Sequence, residues 1–191
     1  GPGIRTWYLD LSSNEPVNFF VSVKDLRYIV LGNPKLDLRD WNANSDIDIL
    51  VDPQDLKAFT SSLTRRKPRQ SVVFDIYTVD GSRGCGWRGC PYVPVELGKT
   101  ALESFQNDGL GAKHPLEEFN REIVLFHLLY HKRPAYLTLP KAAKKLADVG
   151  FDLSLGSLDW SQRHAIERLR QSSSYPSHLG DCRSPAHQKW I

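Results

Sequence analysis

The sequence predicts an α+β protein, with a mixed β-sheet core and a C-terminal helical half. Three β-prone runs fall in the first half, at residues 26–31, 46–51 and 71–79, and a helical segment separates the second from the third. Beyond residue 115 the apolar residues recur three and four apart, as on one face of a helix. Strands gathered ahead of helices, with no internal repeat, fit a segregated architecture. Composition sets the expected boundaries: an α/β core over 4–106, a helical subdomain over 107–171 and a polar tail over 172–191.

Within the core, Trp7, Tyr8, Leu9 and Leu11 precede Ser12-Ser13-Asn14-Glu15-Pro16 and an apolar run to Val23, which reads as a short strand, a turn and a helix. Leu26-Arg27-Tyr28-Ile29-Val30-Leu31 reads as a strand stopped by Gly32-Asn33-Pro34. A loop containing Asp37, Asp40 and Trp41 leads to the strand Asp46-Ile47-Asp48-Ile49-Leu50-Val51. Asp52-Pro53-Gln54-Asp55 is a helix-start signal, with an acceptor at the cap and proline at the first helical position. Leu56, Phe59 and Leu63 then recur at helical spacing. Basic residues 65–69 lead to residues 71–79, a strand whose only charge is Asp75.

A glycine-rich loop follows over 80–89, then a short helix over 97–105 and a second loop over 107–115. The long helix starts at Leu116-Glu117-Glu118 and runs to about Lys132, with Phe119, Ile123, Phe126, Leu129 and Tyr130 on its apolar side. Two further helices are expected near 140–149 and 158–171. The tail is rich in serine, proline, glycine and histidine, a composition that buries little surface.

At 191 residues, 40% hydrophobic and 25% charged, the chain is long enough to bury a core without staples. Its formal net charge of +3 admits a phosphate-bearing ligand without announcing a nucleic-acid binder, since no lysine and arginine run extends beyond Arg65-Arg66-Lys67 with Arg69. No apolar stretch approaches the roughly 18 residues that span a bilayer, so a soluble, cytoplasmic protein is expected. Gly1-Pro2-Gly3 resembles the scar of a cleaved purification tag, which implies a piece of a longer chain.

The chemistry concentrates in Asp46 and Asp48. On a strand, side chains two apart share a face, so these carboxylates point one way while Ile47 and Ile49 point the other. Left bare they would repel each other, and a divalent cation bridging to substrate phosphates is the common compensation. The alternative is a pair of acids on the wet face of an edge strand. Asp75, mid-strand among Val73, Phe74, Ile76 and Tyr77, would be costly to bury unpaired. If its strand lies beside that of Asp46 and Asp48, three acids converge.

A glycine turn after a first strand, a D-x-D pair on the next and a further aspartate on a later strand resemble the polymerase-β-like nucleotidyltransferase superfamily. The resemblance covers residues 25–80, and it continues more loosely through Phe126-His127-Leu128-Leu129-Tyr130-His131-Lys132, which is similar to a segment in members linked to surface polysaccharide synthesis. It implies a nucleotidyltransferase-like core in which Asp46, Asp48 and Asp75 hold Mg²⁺ or Mn²⁺. It further implies that Asp75 helps deprotonate an acceptor hydroxyl and that Gly32, Asn33 and Ser45 bind the nucleotide. The implied partners are a nucleoside triphosphate and a small acceptor such as a sugar or sugar phosphate. One position departs from the pattern: the superfamily's serine after the glycine is Asn33 here, followed by Pro34, which has no amide hydrogen. That departure supports an alternative, a catalytically inactive nucleotidyltransferase-like binding or accessory domain of a larger protein.

Other candidates carry weaker signals. Backbone amides of the 80–89 loop with Arg83 and Arg88 suit a phosphate, or the loop is a plain turn. Cys85 and Cys90 allow a hairpin disulfide, or a zinc site completed by Cys182 with His178 or His187, but neither spacing is C-x-x-C and reduced thiols are the default. His127 and His131 share a helix face and suit a metal, a phosphate or simple packing. Trp41 and Trp87 suit either stacking on a base or anchoring their loops.

Overall fold

Alternation of side chains along four strands builds a sheet with two unlike faces. A computed structural model describes residues 5–32, 46–82, 91–128 and 139–150. Strands β1 (Thr6–Asp10), β2 (Tyr28–Val30), β3 (Asp46–Val51) and β4 (Ser71–Thr78) form one sheet in the order β1-β4-β3-β2. The sheet is mixed: β3 and β4 run parallel, while β1 on β4 and β2 on β3 are antiparallel. Together with the helices, this is the α+β architecture that the sequence predicts. The strand carrying Asp46 and Asp48 lies inside the sheet, between β4 and β2, and not at its edge.

One face is apolar. Leu9, Tyr28, Val30, Ile47, Ile49, Val51, Val72, Phe74 and Ile76 join a single core cluster with helices α1 (Pro16–Ser22) and α2 (Leu56–Phe59). Phe19 of α1 meets Phe59 edge-on at 5.2–5.4 Å from its aromatic neighbours, including Phe74 on the sheet. Aromatic pairs at such distances add to what burial alone contributes. Asp52 accepts the Gln54 amide at 2.8 Å and so caps a turn, with Pro53 in that turn and α2 starting three residues later. The predicted proline at the first helical position is thus displaced outward, yet Leu56, Phe59 and Leu63 all pack on the core. Arg27 ties this turn to β2, donating its amide and Nε to Asp55 at 2.8 and 3.0 Å and pairing with Asp52 at 3.2 Å.

The opposite face receives helix α3 (Val95–Glu103), which packs on β2 and β3. Residues 107–115, expected as a loop, instead complete a hairpin of β5 (Phe105–Asn107) and β6 (Lys113–Pro115), and β6 lies against β2. Asp108 makes the turn: its carboxylate accepts the Leu110 and Ala112 amides at 2.8 and 3.0 Å and meets His114 Nε2 at 2.6 Å.

The chain divides after Leu116 into two units. In the second, α4 (Glu117–Phe126) buries Ile123 and Phe126 as its periodicity predicts, and α5 (Pro140–Asp148) buries Ala142 and Leu146 and packs on α4. Among the described residues no helix is long and apolar enough to cross a membrane. Asn33, Trp41, Ser45, residues 83–90, Leu129, Tyr130, His131, the predicted helix at 158–171 and the tail lie outside the described residues.

Candidate functional site

The register of β3 on β4 decides what the carboxylates can do together. Asp48 pairs directly with Asp75, and Asp46 pairs with Val73. Register partners on parallel strands project from the same face, so Asp46, Asp48 and Asp75 all leave the sheet on the side opposite the aromatic core. Adjacent strands lie about 4.8 Å apart, and residues two apart on one strand are separated by about 6.6 Å. Three acids therefore share one patch of sheet, with Asp46 exposed and Asp48 and Asp75 half-buried.

Two neighbours at the start of β1 claim Asp75, Thr6 as the strand's first residue and Arg5 just before it. Thr6, its register partner, donates its hydroxyl to Asp75 Oδ1 at 2.8 Å, and Arg5 Nε stands 3.6 Å from Oδ2. These partners offset the cost of placing a carboxylate mid-strand. Among the described residues, no three histidine, cysteine, aspartate or glutamate side chains gather into a metal-holding group.

Two phenols form the floor beside the acids. Tyr77, two residues beyond Asp75, is buried with its ring 4.7 Å from that of Tyr92. Burial pushes the Tyr77 hydroxyl well above its ordinary value, Asp48, Asp75 and Asp46 push it the same way, and Arg5 opposes them. Tyr92 is raised too, by burial first and by Asp48 next among the charges. Both phenols thus register the field of the same carboxylates. Arg5 also lies over the Tyr77 ring, 5.6 Å from its centroid.

Gly32 sits at the same end of the sheet. The Leu31 amide donates to the Asp48 carbonyl at 2.8 Å, and the chain then turns through Gly32 at φ +96°, a conformation that side chains disfavour. Among the described residues, a Cβ there would meet nothing within 4 Å. Asn33 and Ser45, the other expected nucleotide contacts, lie outside the described residues.

Carboxylate oxygens are hard donors of the kind Mg²⁺ and Mn²⁺ take. In type and in register, Asp48 and Asp75 fit such an ion, with Asp46 alongside; the ion would have to share Asp75 with Arg5 or displace it. Sequence reasoning overlooked Arg5, Thr6, Tyr77 and Tyr92 as site residues. No motif marks them, and only the pairing of β1 with β4 brings the first two to Asp75. Of the basic cluster, Arg65 donates to the Thr6 carbonyl at 2.9 Å and lies over the Trp7 ring, both of them contacts within the fold. His127 is described and half-buried, in a π-type turn that follows α4.

The chain matches no family model, and no curated protein or solved structure matches it.

Proposed function

We propose that this protein is a metal-dependent nucleotidyltransferase that moves a nucleoside monophosphate from a nucleoside triphosphate to a small acceptor such as a sugar or sugar phosphate. The observation that supports it is the register pairing of Asp48 with Asp75 on adjacent parallel strands, with Asp46 on the same face and Gly32 at the same sheet end. Asp46, Asp48 and Asp75 would hold Mg²⁺ or Mn²⁺, which when bound supplies charge neutralisation for the triphosphate. The acceptor hydroxyl oxygen bonds to the α-phosphorus as the α–β phosphoanhydride breaks. Pyrophosphate leaves, and the hydroxyl proton passes to the Asp75 carboxylate. Gly32, bare of a side chain, leaves room for the phosphates to approach the backbone.

Calorimetric titration of Mg²⁺ and Mn²⁺ with each nucleoside triphosphate, on the parent and on Asp48→Asn, tests the reading. Binding by the parent that Asp48→Asn abolishes supports it, and no binding under any combination refutes it.

A second reading has its own observation. Both Asp75 oxygens are already engaged, by Thr6 and Arg5, and Asn33-Pro34 replaces the phosphate-contacting serine of the superfamily. An inactive nucleotidyltransferase-like domain serving as a binding or accessory module would keep the acid patch without turnover. Pyrophosphate release that disappears in Asp46→Asn excludes it.

A further inference from the structure

We propose that Arg5 is a built-in counter-ion, a positioning residue that occupies Asp75 until a divalent cation takes its place. The inference rests on the transferase reading of the acid patch and adds to it the residue that sets how tightly a cation binds there.

The two contacts on Asp75 differ in kind. Thr6 makes a well-formed hydrogen bond at 2.8 Å and sits in register with Asp75, so it orients the carboxylate. Arg5 stands off at 3.6 Å, a charge contact without hydrogen-bond geometry. Its side chain is 39% exposed while that of Asp75 is 13% exposed, so the acid is the enclosed partner and the base the one that reaches solvent. Such a guanidinium compensates the charge of Asp75 beside Asp48 yet is only weakly held, as partly exposed ion pairs are.

Arg5 also has somewhere to go. Its guanidinium lies over the Tyr77 ring face, and it reaches solvent on its other side. A cation binding Asp48 and Asp75 would displace Arg5 from Oδ2 and leave it stacked on Tyr77, while Thr6 keeps Oδ1 oriented. The backbone of Arg5 need not move, because its carbonyl accepts the Ile76 amide at 2.8 Å and is part of the sheet.

Removing the competitor should therefore tighten cation binding. Mn²⁺ binding, read from the loss of the free-ion electron paramagnetic resonance signal, is compared for the parent, Arg5→Met, Arg5→Gln and Arg5→Lys, and for Asp75→Asn with and without Arg5→Met. The expected result is a gain of about three- to tenfold in affinity for Arg5→Met and Arg5→Gln, from the usual strength of a partly exposed ion pair. Arg5→Lys stays close to the parent, and the gain vanishes in the Asp75→Asn background. If the parent binds Mn²⁺ and neither neutral substitution tightens it, or the gain survives Asp75→Asn, the role of Arg5 is overturned while the transferase reading stands. If folded parent and variants alike bind no Mn²⁺, the metal reading falls and this inference with it.

Discussion

Replacing Gly98 with alanine sets helix propensity against steric fit in the helix that covers the face of the sheet opposite the aromatic core. Gly98 lies inside α3, its amide bonded to the Pro94 carbonyl at 3.0 Å. Alanine there should favour the helix by about 1 kcal/mol. The added Cβ, however, would stand 2.6 Å from Val79 Cγ2, 3.3 Å from Leu50 Cδ2 and 3.4 Å from Val93 Cγ2. All three neighbours are buried, and the valines are stiff at χ1. Overpacking of this kind costs about 1–3 kcal/mol, so the balance is a net loss of about 1 kcal/mol. In a chain of 191 residues that lowers the melting temperature by about 2–4 °C. Gly109→Ala, where nothing lies within 4 Å of the new Cβ, is the control and should stay within about 0.5 kcal/mol of the parent. Urea denaturation of the parent, both single variants, Val79→Ala and the Gly98→Ala/Val79→Ala double variant measures the balance. The double variant should lose less than the sum of its singles, because shortening Val79 removes the closest contact. A Gly98→Ala variant as stable as the parent, or strictly additive energies, would refute the close approach of α3 to the sheet.

Three further outcomes concern polar side chains of the fold. Asp108→Ala should cost about 2–4 kcal/mol in chemical denaturation, since it strands the Leu110 and Ala112 amides and leaves buried His114 without its partner. On the acid side, hydrogen bonding from Arg27 holds the Asp55 carboxyl below its ordinary 3.8. Its contribution is therefore complete above that value and disappears as pH falls through the lowered one, and denaturation midpoints in Arg27→Met should fall less over that range. On the alkaline side, burial raises the hydroxyls of Tyr28, Tyr77 and Tyr92 above 10.0. Below that value neither folded nor unfolded chain loses a phenolic proton; above it only the unfolded chain does, so stability should fall by about 1.4 kcal/mol per pH unit for each phenol. Ultraviolet titration should show fewer tyrosines ionising in the folded protein than in urea.

The parts of the fold legible in the sequence are those whose pattern is local. Ile47, Ile49, Val72, Phe74 and Ile76 alternate with polar or half-buried residues, and that period of two marks β3 and β4 without any knowledge of their neighbours. The 105–115 hairpin was not legible, because Gln106, Asn107, Lys113 and His114 carry little β preference. Its support is tertiary: the Lys113 amide donates to the Tyr28 hydroxyl at 3.3 Å, and its ammonium to the Leu26 carbonyl at 2.7 Å. In the candidate site, alternation alone puts Asp46 and Asp48 on one face. That Asp75 stands opposite Asp48, and that Thr6 and Arg5 reach it, depends on strand order and register, which arise from contacts far apart in the chain.

The two unlike faces of the sheet also guard its assembly. Were β3 to slide one residue along β4, Asp46 and Asp48 would enter the cluster of Phe19, Phe59 and Phe74, and Ile47 and Ile49 would come out among the polar groups. A slide of two residues would keep the faces but move Asp48 away from Asp75, which Thr6 and Arg5 hold on the neighbouring strand. Parallel strands joined by a long connection lack the tight turn that pins a hairpin's alignment. The apolar face sets the alignment of the two central strands, and it does so while holding two like charges, Asp48 and Asp75, side by side.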